Sequence, residues 1–209
     1  MLGAEDLANL LEASAKPEHR DPFVLTPMPE LPALRKSGNA SLDLRLGTWF
    51  LTPKKTRHHL LDVSPEKIEQ LSEDSFIHAH FVPFGRKFIL HPHSFVLAAT
   101  LEWIRMPRDL GGYVTGKSSW GRRGLVIETA PGVHPGFAGC LTLEIANVGE
   151  IPIAMAPGTQ ICQLFLHSIA TAATRPGTSS FIGRRQPILG QIKLDQFAIK
   201  LAGKPQQNS

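Results

Sequence analysis

An all-β fold, either a sandwich, a jelly roll or a small barrel, is predicted by two features of the sequence. The first is a series of short β-rich segments separated mostly by Pro or Gly turns. They are Phe76–Phe81, Lys87–Leu90, Phe95–Ile104, Gly112–Thr115, Leu125–Glu128, Gly139–Asn147, Ile151–Ala154 and Gln160–His167. The second is the lack of helical segments joining parallel strands, which argues against a dinucleotide-binding α/β fold.

The chain before these segments is less regular, and it predicts peripheral elements. Leu7, Leu10 and Leu11 share one face of a short amphipathic helix at Glu5–Ala15. Arg20–Leu34 contains four prolines and predicts an extended arm. Ser41–Gly47 alternates apolar and polar residues as a strand does, and Thr52–His59 is basic and polar, typical of a hairpin tip. Ser64–Pro65 predicts the start of one or two helical turns.

Composition restricts the class of protein. The 209 residues fit one domain, and 22 Lys and Arg against 18 Asp and Glu give a charge of +4, too small a bias for a nucleic-acid-binding arm. The two cysteines lack metal-ligand spacing, which favours reduced core residues of a cytoplasmic protein. No segment is long and apolar enough to predict a membrane span. We therefore expect neither nucleic acid nor membrane as a partner.

The stretch from Gly116 to Glu144 holds the candidate site. Cations and hydroxyls follow Gly116 in a predicted loop suited to a polyanion such as a triphosphate. They are Lys117, Ser118, Ser119, Arg122 and Arg123. Downstream, Leu143 and Ile145 would share one face of a strand while Thr142 and Glu144 share the other. The pattern predicts a carboxylate beside a cationic loop.

Three histidine pairs raise the question of a metal site. They are His58/His59, His78/His80 and His91/His93. Each pair lacks an obvious third ligand, and Pro92 predicts a turn rather than a strand between His91 and His93. The zinc-deaminase signature, H-x-E with P-C-x-x-C, is absent from the sequence. We predict no protein-bound metal and, for any deamination, no zinc-hydroxide route.

Several motifs in one order resemble the dCTP deaminase branch of the trimeric dUTPase superfamily. The motifs are NASLDLRLG, GKSSWGRRGL, TAPGVHPGF, GCLTLEIANVGEIPI and APGTQICQL. The resemblance implies a mainly β, distorted jelly-roll fold with a short N-terminal helix, and a homotrimer with active sites between subunits. It also implies a magnesium ion that arrives with the nucleotide triphosphate, and dTTP as a possible inhibitor. The implied organisation is a helix and arm at 1–38, a β domain at 39–170 and a closing lid at 171–209.

Residue by residue, the resemblance implies a deamination site. Glu144 corresponds to the general base that takes a proton from the water attacking C4 of cytosine. Ser118 and Arg122 complete the site, and the backbone at Thr129 and Ala130 contacts the water and the cytosine amine. Lys117 matches a position that contacts phosphate. The other substrate-binding positions expected are Ser119, Arg123, Val133 and Gln163.

The sequence departs from the family at two places. His134 stands where many members carry an aspartate that binds the sugar and, in dUTPases, orients the attacking water. The tail SFIGRRQP resembles the segment that closes over the nucleotide, with Phe181 in place of tyrosine and Arg184 in place of glutamine. Arg184 and Arg185 could grip phosphates or form a solvated basic turn.

The predicted function is hydrolytic deamination of dCTP to dUTP and ammonia, which supplies thymidylate synthesis. A related deoxycytidine nucleotide, such as a modified one or the monophosphate, stays open as the substrate. Two alternative functions also remain at this point. One is a dUTP diphosphatase, or an enzyme that combines both activities, although His134 argues against it. The other is a catalytically silent trimer that binds pyrimidine nucleotides.

Overall fold

The computed structural model describes residues 1–54, 76–127, 132–173 and 181–190. Strands dominate these ranges, so the mainly β class is confirmed. The helices are α1 (Ala4–Ser14), α2 (Leu31–Ser37) and α3 (Ser118–Gly121). The strands are β1 (Val24–Thr26), β2 (Leu42–Pro53), β3 (Ile77–Phe81), β4 (Phe88–Leu90), β5 (Ser94–Arg105), β6 (Leu110–Gly116), β7 (Leu125–Ile127), β8 (Gly132–Val133), β9 (Ala138–Asn147), β10 (Ile153–Met155) and β11 (Gln160–Ser168).

Nine of the described strands form one antiparallel sheet. Its main path runs β7-β9-β5-β2-β11-β6-β8, while β1 pairs with β5 and β3 pairs with β2. The sheet curls far enough to bring β6 against β7, because a Cβ placed on Gly116 would lie 3.2 Å from Cβ of Ile127. A separate pair, β10 and β4, completes the described β structure. Strands far apart along the path thus meet at the end of β6.

The core comes from the alternation that predicted the strands. Leu42, Leu44 and Leu46 of β2 are buried, and so are Leu143 and Ile145 of β9. Burial of such side chains contributes roughly 1.5–3 kcal/mol each relative to full exposure. The polar residues between them lie on the opposite face, which carries the candidate site.

The predicted N-terminal helix is confirmed as α1, and it shares the core of the sheet. Leu7 and Leu11 are buried in the same cluster as the strand residues. The backbone N–H of Leu2 donates to the carbonyl of Leu166 in β11 at 2.9 Å. Arg35 of α2 contacts Glu5 and also Glu12, the latter at 2.7 Å, so the two helices are joined by ion pairs.

The prediction that Arg20–Leu34 is only an extended arm was wrong in part. Residues 24–26 pair with β5 as β1, and α2 begins at Leu31. Pro32 lies in the first turn of α2, where its missing N–H removes no helical hydrogen bond. The number of prolines therefore led to the prediction of an extended arm where the chain forms a two-turn helix.

Two further predictions fall on the 55–75 range. The hairpin tip at Thr52–His59 begins within β2, whose last residue is Pro53, and its remainder lies outside the described residues. The helical turns predicted from Ser64–Pro65 lie wholly outside them. In the part of the chain that the structure covers, no helix is long and apolar enough to cross a membrane.

Candidate functional site

The segment after Gly116 forms a short helix rather than the predicted open loop. Its internal hydrogen bonds use the backbone N–H groups of residues 120–124, which donate to the carbonyls of Lys117, Ser118, Trp120 and Gly121. These N–H groups are therefore unavailable to a phosphate. A ligand at α3 would therefore be bound mainly by side chains.

Three exposed side chains on α3 and its C-terminal cap are available to a ligand. Ser118, Ser119 and Arg122 are exposed. Within the described ranges no hydrogen bond or ion pair holds the hydroxyls of Ser118 and Ser119 or the guanidinium of Arg122. Arg123 is exposed as well, but its Nη1 donates to the carbonyl of Ser119 at 2.6 Å. Arg122 is thus the more available of the two cations.

Lys117 differs from its neighbours because its ammonium is paired. Nζ lies 2.7 Å from Oδ1 of Asp43 in β2, and the two side chains are 24 % and 29 % exposed. Nε2 of Gln163 donates to the same Oδ1 at 3.2 Å and to Oγ of Ser41 at 3.0 Å. Lys117 and Gln163 therefore belong to one half-buried polar network centred on Asp43.

Glu144 lies in the middle of β9 and is half-buried. It pairs with Leu97 of β5, and its neighbours Leu143 and Ile145 are fully buried. Among the described residues no hydrogen bond or ion pair holds its carboxylate. A partly buried carboxylate without a partner is well suited to proton transfer, because neither lone pairs nor charge are already committed.

Strand β7 connects the surroundings of α3 with those of Glu144. Ile127 pairs with Ile145, the residue after Glu144, and it contacts Gly116, the residue before Lys117. The end of β6 and the middle of β9 are therefore separated by this one strand. Thr129 and Ala130 follow β7 directly, but they lie outside the described residues.

Val133 and His134 occupy opposite environments although they are adjacent. Val133 pairs with Gly112 of β6, and its side chain is 4 % exposed, so only its backbone could reach a ligand. His134 follows β8 and is exposed. The carbonyl of His134 accepts a hydrogen bond from the N–H of Phe137 at 3.1 Å, which fixes the turn and leaves the imidazole at the surface.

The described part of the tail, residues 181–190, packs against the beginning of β9. The N–H of Gly183 donates to the carbonyl of Ala138 at 2.7 Å, and the N–H of Cys140 donates to the carbonyl of Arg184 at 2.8 Å. Cys140 and Glu144 are separated by about 13 Å along the strand, at roughly 3.3 Å per residue. Phe181 and Arg184 are therefore anchored away from Glu144 of the same chain.

Arg185 contacts an aromatic ring from the described part of the tail. Its guanidinium lies 5.1 Å from the ring centroid of Trp103, a cation–π distance. Burial raises the pKa of the nearby Cys140 thiol to about 11, although the positive charge of Arg185 acts in the opposite direction. Both cysteines are free and buried. They are therefore core residues.

The remaining question at the site is which residues could hold a metal ion. In the described ranges, no group of three or more His, Cys, Asp and Glu side chains is placed to hold a metal ion. Mg²⁺ in nucleotide sites is held mainly by substrate phosphates and water, with one or two carboxylates. An ion bound in that way would need no group of three protein ligands.

The most buried carboxylate among the described residues was not predicted from the sequence. Glu102 of β5 is 1 % exposed as a side chain, and Arg45 contacts both of its oxygens. The sequence offered one signal, a single charge within the apolar run LAATLEWI. Asp43 was likewise not predicted as a site residue, although its spacing from Arg45 places both on one face of β2.

The sequence of this chain is similar to those of known dCTP deaminases. The family model described as dCTP deaminase-like matches residues 17–169. A dUMP-forming dCTP deaminase of Methanobrevibacter smithii is 38 % identical over 162 residues, which cover 75 % of this chain and 81 % of the relative. A dCTP deaminase of Natronomonas pharaonis is 35 % identical over 162 residues, with the same coverages.

Among solved structures, the fold is similar to that of a 2'-deoxycytidine 5'-triphosphate deaminase from Agrobacterium tumefaciens. The TM-score is 0.54 at 19 % sequence identity, over 79 % of this chain. The match covers 45 % of that solved chain, so this protein spans less than half of its length. At this identity the similarity concerns the fold alone. The extent of the family match and the identity of the relatives establish that the chain belongs to the dCTP deaminase-like family, as its motifs predicted.

Proposed function

We propose that this protein hydrolytically deaminates dCTP to dUTP and ammonia, with Glu144 as the general base. The observation that carries the proposal is the state of Glu144, a half-buried carboxylate without a described partner in the middle of β9. Membership of the dCTP deaminase-like family supplies the substrate class.

In the proposed reaction, water attacks C4 of the cytosine ring. The Glu144 carboxylate accepts a proton from the water as the C4–O bond forms, and it delivers that proton to the exocyclic amine. The C4–N bond then breaks and ammonia leaves, and the second proton of the water moves from the new C4 hydroxyl to N3 as the carbonyl group of uracil forms. Water and dCTP are consumed, while dUTP and ammonia are produced, so no oxidant or reductant is needed. The low exposure around Glu144 favours proton exchange with the substrate over exchange with solvent.

Ser118 and Arg122 complete this site in the proposal. A hydroxyl can donate to one group and accept from another, so Ser118 is suited to holding the attacking water or a phosphate oxygen. The guanidinium of Arg122 donates hydrogen bonds near the cytosine ring and the Glu144 carboxylate. Both side chains are exposed and unpaired in the described chain, as groups that await a ligand would be.

The backbone at Thr129 and Ala130 is assigned to the water and the cytosine amine, by sequence position. Support for this placement comes from Ile127, the last described residue before them, which pairs with Ile145 beside Glu144. The exposed Ser119, Arg123 and His134 are assigned to the sugar and phosphates. Mg²⁺ would enter with the triphosphate, whose charge it neutralises.

A homotrimer with sites between subunits is part of the proposal. It is supported by the position of Phe181 and Arg184, which are anchored near Ala138 and Cys140 rather than beside Glu144 of the same chain. From that position they would serve a neighbouring site as a lid. Inhibition by dTTP would follow if dTTP, which is made from thymidylate, bound at the dCTP site.

A second candidate is an enzyme that also converts dUTP to dUMP. The observation in its favour is the similarity to the dUMP-forming deaminase of Methanobrevibacter smithii. His134 argues against it, because an imidazole cannot provide the carboxylate that would orient water towards phosphorus.

One assay separates these candidates. The purified protein is incubated with dCTP and, separately, with dUTP, each with magnesium, and ammonia and pyrophosphate are measured. We expect ammonia from dCTP and no pyrophosphate from either nucleotide. Pyrophosphate from dUTP would establish the second candidate. Nucleotide binding without either product would instead identify a silent binding protein.

A further inference from the structure

The position of α3 depends on Lys117, the residue that precedes the helix. Its N–H donates to the carbonyl of Ile161 in β11 at 3.0 Å, and its carbonyl accepts hydrogen bonds from Trp120 and Gly121. Nε1 of Trp120 donates to the carbonyl of Gln160 at 2.9 Å, again in β11. The helix is thus fixed to one strand by backbone and indole contacts.

A second strand holds the same helix through a side chain. Nζ of Lys117 lies 2.7 Å from Oδ1 of Asp43 in β2, and both side chains are less than one-third exposed. Gln163 supports the carboxylate from the strand between, because its Nε2 donates to Asp43 and to Ser41. Gln163 therefore holds the Asp43 carboxylate in the position from which it pairs with Lys117.

A helix of four residues has almost no stability of its own, so tertiary contacts decide its orientation. Ser118 is the first residue of α3, and Arg122 is its C-terminal cap. Loss of the contact between Lys117 and Asp43 would therefore move the side chains of Ser118 and Arg122 together. The ammonium paired with Asp43 is also less available to a phosphate, because that carboxylate already occupies it.

We propose that Asp43 is a positioning residue for the deamination site, and that Lys117 acts as the link through which it holds Ser118 and Arg122. The inference rests on the proposed function, in which those two residues complete the site around Glu144. It changes the expectation for Lys117, from a residue that contacts phosphate to one that orients α3.

The kinetic test compares Asp43→Asn, Lys117→Gln and the double variant. Each single variant is expected to lower kcat for dCTP by about tenfold or more, while KM changes by less than about threefold, because geometry rather than phosphate affinity is lost. The double variant is expected to be no worse than either single variant, since both remove one link. The control Glu12→Gln breaks a remote ion pair with Arg35 and should leave both constants unchanged.

Two kinetic results would overturn the inference. One is a Lys117→Gln variant whose KM rises about tenfold at unchanged kcat, the behaviour of a lost phosphate contact. The other is an Asp43→Asn variant whose kinetics equal those of the wild type. If Asp43→Asn fails to fold, Lys117→Gln alone decides between the two roles.

A readout independent of turnover uses Trp120. With 5-fluorotryptophan incorporated, the ¹⁹F resonance of Trp120 can be assigned by a Trp120→Phe variant, while Trp49 and Trp103 report on the rest of the fold. Asp43→Asn should shift the Trp120 resonance and leave the other two in place. An unmoved Trp120 resonance would refute the positioning role. If the wild type released no ammonia, the proposed function would fail, and this resonance would still decide the inference.

Discussion

Arg45 holds both oxygens of the buried Glu102 carboxylate. Its backbone N–H donates to Oε2 and its Nη1 to Oε1, each at 2.8 Å. Glu102 lies where the pairing of β5 with β9 is irregular, between Ala99 and Trp103. Oγ1 of Thr100 donates to the carbonyl of Glu102 and accepts from the N–H of Leu141. The irregular segment of β5 is thus hydrogen-bonded both within itself and to β9.

Removal of this carboxylate is expected to destabilise the fold severely. Glu102→Ala opens a cavity and leaves Arg45 without its partner. Because the Arg45 side chain is 35 % exposed and can be hydrated, the expected cost is about 2–3 kcal/mol, below the range for a fully buried pair. Glu102→Gln should cost less, because the amide oxygen still accepts one hydrogen bond. Urea unfolding at fixed protein concentration measures both. Glu12→Ala, which removes an exposed ion-pair member, should cost less than about 1 kcal/mol, and an equal loss in this control would contradict the account.

Gly47 is required by the close approach of β2 to β5. A Cβ at this position would lie 2.8 Å from the carbonyl oxygen of Ala99 and 3.0 Å from that of Thr100, both backbone atoms. Gly47→Ala is therefore expected to destabilise by about 1–3 kcal/mol, as overpacking does. Gly121→Ala is the matched comparison for stability, because a Cβ there meets nothing within 4 Å. A Gly47→Ala variant as stable as Gly121→Ala would show that the strands can separate freely.

The Cys140 thiol should make the fold less stable at high pH. Its pKa is raised by burial from 9.0 to about 11, so the folded state keeps a proton that the unfolded state loses first. This contribution to stability is complete below pH 9 and is lost as the pH rises towards 11. Cys140→Ala should therefore lose less stability than the wild type between these pH values. Identical pH dependences would show that the thiol is not protected in the folded state.

The sequence predicted most strands and the N-terminal helix, because alternation and spacing are local properties. It did not predict the anchors of the site, since these depend on pairing between distant segments. Asp43 and Lys117 are 74 residues apart, and Arg45 and Glu102 are 57 apart. Likewise, β8 appears as a turn in the sequence and becomes a strand only because Gly112 and Tyr113 of β6 pair with it.

Replacement of His134 tests the second candidate function. His134→Asp places a carboxylate at the exposed end of β8, where it could accept a proton from water that attacks phosphorus. We expect the His134→Asp variant to release ammonia from dCTP at a rate within about threefold of the wild type. We expect it to release more pyrophosphate from dUTP than the neutral His134→Asn variant does. Coupled colorimetric assays for both products provide the measurement. Loss of ammonia release in both variants would place His134 inside the deamination chemistry, contrary to this account.

The role of Glu144 is tested most directly by ammonia release from dCTP in the wild type and in Glu144→Gln. The amide has nearly the same shape as the carboxylate and cannot act as the base, so turnover should fall by at least about a hundredfold. Binding of dCTP, measured by calorimetry in the same samples, should remain within about threefold of the wild type. A Glu144→Gln variant that still releases ammonia at the wild-type rate would contradict the proposed mechanism.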